Sequence, residues 1–437
     1  MMRRFAFSGG MLAAVVMASV TVAAEGKART VQPFTLKDGA GTSWSFAEQR
    51  TSKAVVVLFL GTECPVNNQY LPTLAQLHKE YAPKGVTFVG VNSNVQDGAT
   101  RVLAHARANG LPFPVLKDSA NVVADDFKAR RTPEAFVVTP DGRIVYQGRI
   151  DDQIGVGFRR KAATRRDVAM ALDELLAGKP VSQTLTDAPG CLIARVRKPA
   201  ESGAITYAKQ VSRIVQNRCQ ECHRPGQVAP MPLMTYEDVV SWQEMIAEVV
   251  EERRMPPWHA DAKHGTFVND RSLTAEERKT LLDWIKAGCP KGDVGNLPAE
   301  KTWAQGWTIG KPDAVFEMPT AFPVPAEAGP KGVSYKYFVV PTNFAEDHWV
   351  QAAEARPGAR EVVHHIIVYV VDRSKLRGKD NNKPGRPTES DTARRDNIGN
   401  GFLTAYAPGD MPLVLEPGRA KRIPKARRSG VPDALHA

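Results

Sequence analysis

The 437-residue chain predicts a multi-domain fold: an α/β domain, then a small all-α domain, then a partial all-β sandwich. Three observations carry this expectation. From residue 54, strand-length and helix-length patterns alternate, which argues for helices packed on a central sheet. Between 200 and 295 the patterns are helical. After 296, short strand-like runs are separated by Pro and Gly. The length allows about three domains, and 43% hydrophobic with 24% charged residues suits chains that bury cores. The net charge is +11, yet no Lys/Arg run with interleaved aromatics occurs, which argues against nucleic acid as a partner. A solvated basic face, or one that favours an acidic redox partner, accounts for the excess.

Residues 1–24 read as a signal peptide. Arg3 and Arg4 form the positive start, "MLAAVVMASVTVAA" the apolar core, and Val22-Ala23-Ala24 the small-residue cleavage site. The Arg pair before Phe5 also fits twin-arginine export. No later segment reaches spanning length, so no stable membrane span is expected after cleavage. The protein is expected to be exported, periplasmic or extracellular. Its five cysteines (64, 191, 219, 222, 289) then meet an oxidising compartment, and the odd count leaves at least one unpaired.

The α/β domain spans 25–195. "AVVVLFL" is a buried strand, "LPTLAQLHKEYA" a helix, "VTFVGVN" a strand, "ATRVLAHARAN" a helix, "AFVVT" and "RIVYQGRI" strands, and "TRRDVAMALDELLAG" the closing helix. Cys64 falls between the first strand and its helix, where the helix dipole and free N–H groups favour thiolate. Pro65 suits the first helical turn. The stretches "FLGTECPVNNQYLP" and "RRTPEAFVVTPDGRIVYQG" resemble the thioredoxin-like redoxin family of the AhpC/TSA type. That resemblance implies a cis-proline at Thr132-Pro133 facing a reactive Cys64. Two positions depart from it. Asn67 stands where thioredoxins carry their second cysteine, and Thr62 lies two residues before Cys64 where peroxiredoxins have threonine three before. Cys191, in "APGCLIAR", is a candidate distant resolving cysteine; an inert Cys64 in the core and an unpaired Cys191 is the plainer alternative.

Residues 200–295 centre on "NRCQECHRPG". A thioredoxin pair is disfavoured because no strand leads into it, and a zinc site because no matching ligand pair follows. Cys219, Cys222 and the adjacent His223 form the Cys-x-x-Cys-His pattern of haem c attachment. Both sulfurs lie on one helical turn, where they can form thioethers, and His223 can supply the proximal nitrogen to iron. "VVEERRMPPWHADAKHGTFVNDRSLTAEERKTLLDWIKAGCPKGD" resembles the distal half of a small c-type cytochrome, which makes Met255 the candidate sixth ligand. Met231, Met234, His259 and His264 compete with it. Thr274, Glu277 and Gly288 mark the start and stop of a closing helix, and Trp284 is expected near the haem or in the core.

Residues 296–423 carry the strand-like runs "DAVFEMP", "KYFVVPT", "HWVQAAEARP", "REVVHHIIVYVVD" and "PLVLEPG". His364-His365 sit in the fourth. The pattern resembles the first domain of copper type II, ascorbate-dependent monooxygenases. That resemblance implies that His364 and His365 bind copper with a third His from a later His-Tyr strand. This strand is missing, and 424–437 reads as a loose basic tail without strand period in which His436 is a poor substitute. Read one nucleotide later, a back-translation of Gly430–Ala437 gives Val-Phe-Gln-Met-His-Tyr-Thr, so the tail reads as a frameshifted remnant. The copper site is then incomplete and no working monooxygenase is expected.

Together these readings describe an exported oxidoreductase. It combines a thiol site (Cys64, Cys191, Thr132, Pro133) with a haem c (Cys219, Cys222, His223, Met255). Its expected partners are periplasmic redox proteins or a thiol or peroxide substrate. Two alternatives are a thiol peroxidase or disulfide reductase with haem as sensor, and a non-enzymatic electron carrier with an inert redoxin docking domain.

Overall fold

A computed structural model of the chain describes residues 29–371, 401–425 and 434–436, apart from 268, 304–305, 326–332, 334, 337, 361 and 408. The expected signal peptide lies outside the described residues.

The N-terminal unit is built on strand β3, Ala54–Phe59, whose six residues are all buried. Its odd and even side chains enter different cores. Ala54, Val56 and Leu58 pack with Leu71, Leu74 and Leu77, while Val55, Val57 and Phe59 pack with Phe127 and Phe136. A strand covered on both faces needs a continuous apolar run, and "AVVVLF" supplies one. The hairpin β1 (Thr35–Asp38) and β2 (Ser43–Ser45) precedes it. After β3 come α1 (Pro65–Tyr81), β4 (Val86–Asn92), α2 (Ala99–Ala108), β5 (Val115–Lys117) and α3 (Val122–Asp126). Then follow β6 (Arg131–Thr132), β7 (Glu134–Val138), β8 (Ile144–Gly148), a short ladder of β9 (Ile154–Gly155) and β10 (Phe158–Arg159), and α4 (Asp167–Leu176). The sheet order is β2-β1-β5-β4-β3-β7-β8. Strand β3 runs parallel to β4 and antiparallel to β7. The N-terminal hairpin was not legible in the sequence, because its strands are only four and three residues long and none of their residues is fully buried.

Strand β11, Cys191–Leu192, returns to the N-terminal unit and pairs with β6. Beyond it the described residues up to 296 hold helices. The expected continuous helix into the cysteines is shorter: a wide π turn at Tyr207–Val211 leads into α5, Ser212–Arg218. Then come α6 (Tyr236–Ser241), α7 (Gln243–Glu251) and α8 (Ala275–Lys286). Thr274 and Glu277 form the expected capping box of α8, and Gly288 follows its end at φ +85°. Trp284 is fully buried in the core of this unit and donates Nε1–H to Pro290 O at 3.0 Å.

The third region contains β12 (Val339–Pro341), β13 (His348–Val350), β14 (Ala352–Ala353), β15 (Ile366–Val371), β16 (Phe402–Tyr406), β17 (Leu413–Val414), β18 (Lys421–Ile423) and β19 (Ala434–His436). Three expectations are corrected here. The run "DAVFEMP" forms no strand. His364 and His365 precede β15 rather than lying in it: the ladder starts at Ile366 opposite Tyr406, the last residue of β16, so among the described residues the two histidines have no partner strand. The tail is not uniformly loose, since Ala434–His436 pairs antiparallel with both β12 and β15. Open edges on those strands provide the backbone donors and acceptors that recruit it, whatever its side-chain pattern.

Candidate functional site

Cys64 is the N-cap of α1, with Pro65 as the first helical residue. Its sulfur accepts the Asn67 N–H at 3.5 Å, an orphan donor of the first turn. A second N–H comes from Cys191 at 3.4 Å. The thiol itself donates to Thr132 O at 2.9 Å. Cys64 is only 1% exposed.

Cys191 reaches this place because β11 pairs with β6, which sets Cys191 opposite Thr132. Gly190 makes the approach feasible. It adopts φ +112°, and a Cβ there would lie 2.2 Å from Thr132 O. Gly61 is required on the other side, since its Cβ would meet Asn94 Nδ2 at 2.7 Å and Thr132 Oγ1 at 2.9 Å. The Thr132–Pro133 peptide is cis, as the redoxin resemblance implies.

Downstream of Cys191 the strap is fastened to the N-terminal unit. Ile193 N–H donates to Arg130 O at 2.8 Å. Ala194 N–H donates to Asn94 Oδ1 at 3.1 Å, and Val196 N–H to Asn121 Oδ1 at 2.7 Å. Asp97, 1% exposed, joins the strap to the Cys64 loop: it accepts from Asn92 and Asn94 and from the backbone and hydroxyl of Thr62. Sequence reasoning missed Asn94 and Asp97, and read Asn67 only as the absence of a second cysteine. The available signal was the polar run Asn92-Ser93-Asn94 directly after an apolar strand.

The two thiols are electrostatically unequal. Burial raises the Cys64 pKa, but the hydrogen bond from the Cys191 thiol and the N–H groups of Asn67 and Cys191 outweigh it and lower the pKa to about 7. Cys191 moves the other way, pushed up by its bond to Cys64 and then by burial. The two shifts make Cys64 the thiol that ionises first and Cys191 the one that keeps its proton. Burial pushes Cys219 and Cys289 up to about 12, and Cys222 in the same direction.

In the second unit, Cys219 O accepts from Cys222 N–H at 3.1 Å and from His223 N–H at 2.9 Å, closing one turn. His223 is 9% exposed, and its Nδ1 lies 3.1 Å from Met231 O. A ring that donates Nδ1–H to a carbonyl presents Nε2 as a ligand, the usual arrangement of a metal-binding histidine. The residues therefore fit a haem c. Met255 is 40% exposed and Met234 36%; Met231 is half-buried, and His259 and His264 are exposed. His364 and His365 face each other through Nδ1 atoms 2.8 Å apart. Among the described residues no group of three His, Cys, Asp or Glu side chains could hold a metal ion.

The AhpC/TSA family model matches residues 28–147. Those residues form a thioredoxin-like redoxin domain. The redoxin domain is similar to the thiol-disulfide oxidoreductase ResA of Halalkalibacterium halodurans, 31% identical over 112 residues, or 26% of this chain and 62% of that protein. ResA of Bacillus subtilis is 28% identical over 114 residues, 26% of this chain and 61% of that protein. The chain thus spans about three fifths of the length of these curated relatives. Among solved structures, a putative thiol:disulfide interchange protein DsbE from Chlorobium tepidum is 17% identical, with a TM-score of 0.27, over 35% of this chain and 95% of that one. No described helix is long and apolar enough to cross a membrane.

Proposed function

We propose that the protein is an exported thiol-disulfide oxidoreductase whose redox pair is Cys64 and Cys191. The observation that carries this reading is the placement of Cys191 against the Cys64 sulfur, 127 residues away in sequence. The Cys64 thiolate attacks one sulfur of a substrate disulfide, forming a mixed disulfide and releasing one substrate thiolate. Cys191, having given up its proton, then attacks Cys64 Sγ. The second substrate thiolate leaves, and a Cys64–Cys191 disulfide remains. Two electrons pass to the substrate, and two protons complete its thiols. Asn67, which replaces the second cysteine of thioredoxins, serves by fixing the loop: its Nδ2 donates to Gly61 O at 2.7 Å.

The second unit is read as a haem c carrier with Cys219 and Cys222 as attachment points and His223 as proximal ligand. The His223–Met231 hydrogen bond supports this, and Met255 remains the candidate sixth ligand. Haem iron bound there would carry single electrons. The bond to Met231 O fixes the orientation of the His223 imidazole, and the Cys219–His223 turn keeps both sulfurs on one short stretch of backbone.

Incubating the full chain with glutathione disulfide, alkylating the remaining thiols and mapping peptides tests the thiol reading. The expected product is a Cys64–Cys191 cross-linked peptide that is absent in Cys64→Ser. Oxidation confined to Cys219 and Cys222 would refute it. Expression in a host that matures c-type cytochromes tests the haem reading by visible spectrum and by added porphyrin mass.

A further inference from the structure

Helix α7 belongs to the helical unit, yet it touches the thiol strap directly. Arg131 lies one residue before Thr132 and opposite Leu192 in the β6–β11 ladder. Its guanidinium meets the Glu248 carboxylate at two points, 3.2 Å to Oε1 and 2.7 Å to Oε2. The same guanidinium donates to Gly190 O at 2.8 Å. One planar fork therefore ties the carbonyl before Cys191 to a carboxylate on the other unit, and planar two-point pairs are both strong and directional. The two side chains are 23% and 17% exposed, so water screens them little. Leu192 N–H also points at Met245 Sδ of α7, 3.4 Å away. Cys191 and Leu192 pack on the apolar cluster that contains Trp242 and Met245. The cavity between strap and helix holds only about 10 Å³, at the lower limit for a single water.

We propose that Glu248 is a positioning residue of the thiol site, so that the helical unit and the redoxin domain together hold Cys191 against Cys64. This rests on the exchange reading above. The anchors on the redoxin side lie at Thr184 and Thr186, which pair with Gln147, and at Ile193, Ala194 and Val196, so they flank Cys191. The carbonyl before it, on the conformationally free Gly190, is held by Arg131, and Glu248 sets where Arg131 points. Glu248 also accepts from Arg254 at 2.6 Å, next to Met255, so the thiol strap and the loop bearing the candidate iron ligand share one carboxylate. Exchange at Cys64 then depends on the contact between the two units.

The test compares full-length wild type, Glu248→Ala and Glu248→Gln in buffers of glutathione and glutathione disulfide. There, two protein thiols become one disulfide as one glutathione disulfide becomes two thiols. The equilibrium constant for the Cys64–Cys191 disulfide is expected to fall about tenfold in Glu248→Ala, the factor that one charge-assisted hydrogen bond carries, and by less in Glu248→Gln. The midpoint of Cys64 ionisation should rise in both, which a loss of global stability alone would not cause. If Glu248→Ala does not fold, the Glu248→Gln shift decides. Unchanged constants and midpoints in folded variants overturn this inference and leave the exchange reading intact. Absence of the disulfide in wild type overturns both.

Discussion

Replacing Cys191 with alanine removes the largest interaction that favours the Cys64 thiolate. The native site lowers the Cys64 pKa to about 7 from an ordinary value near 9. A shift of that size corresponds to about 3 kcal/mol of preference for the charged form. At pH 7 about half of the Cys64 population is thiolate, against roughly 1% for an unassisted thiol, so the ceiling on the loss is about fifty-fold. The N–H of Asn67 and the N–H of residue 191 survive the substitution. The thiolate fraction at pH 7 is therefore expected to fall between about fivefold and fifty-fold. The assay is the pH titration of thiolate ultraviolet absorbance, taken as the difference from the matching Cys64→Ser protein. A Cys64 midpoint near 9 in wild type, or one unmoved by Cys191→Ala, would refute the argument. The sign extends to stability. A thiol whose folded pKa lies below its unfolded value stabilises the fold above the unfolded value and loses that contribution as pH falls through the folded one. Cys64 should thus add stability that grows from about pH 7 to about pH 9, measured under reducing conditions as the difference in unfolding free energy between wild type and Cys64→Ser.

Two further outcomes follow from packing. Gly190→Ala places a Cβ 2.2 Å from Thr132 O at φ +112°. The strap must move, so the Cys64–Cys191 disulfide should form several-fold more slowly while Cys64 remains alkylatable; wild-type kinetics in this variant would show that the strap does not need glycine. Trp284→Ala empties a fully buried site and removes the bond to Pro290 O. The helical unit should lose about 3–5 kcal/mol, read by denaturant unfolding, and a loss below about 1 kcal/mol would mean that this core repacks.

Some of this was written in local sequence. The run "AVVVLF" states a strand buried on both faces, because seven consecutive apolar residues from Ala54 leave no solvent side. Cys64 before Pro65 states a helix start, and Thr274 with Glu277 states a capping box, because caps are made by residues three apart. Cys219, Cys222 and His223 share one turn for the same reason of short spacing. The histidines at 364 and 365 show where local reading stops: their apolar surroundings looked like strand, but a strand exists only where a partner runs beside it, and β16 ends opposite Ile366.

The sequence by itself determined which residues start helices, fill the cores and carry sulfur. Only the tertiary structure decided which sulfurs meet. Cys191 is set against Cys64 by a two-residue ladder with β6, by the bare Cα of Gly190 and by a carboxylate from α7. These groups are spread over more than a hundred residues of chain, from Arg131 to Glu248, and no periodicity along the chain encodes a distance across it.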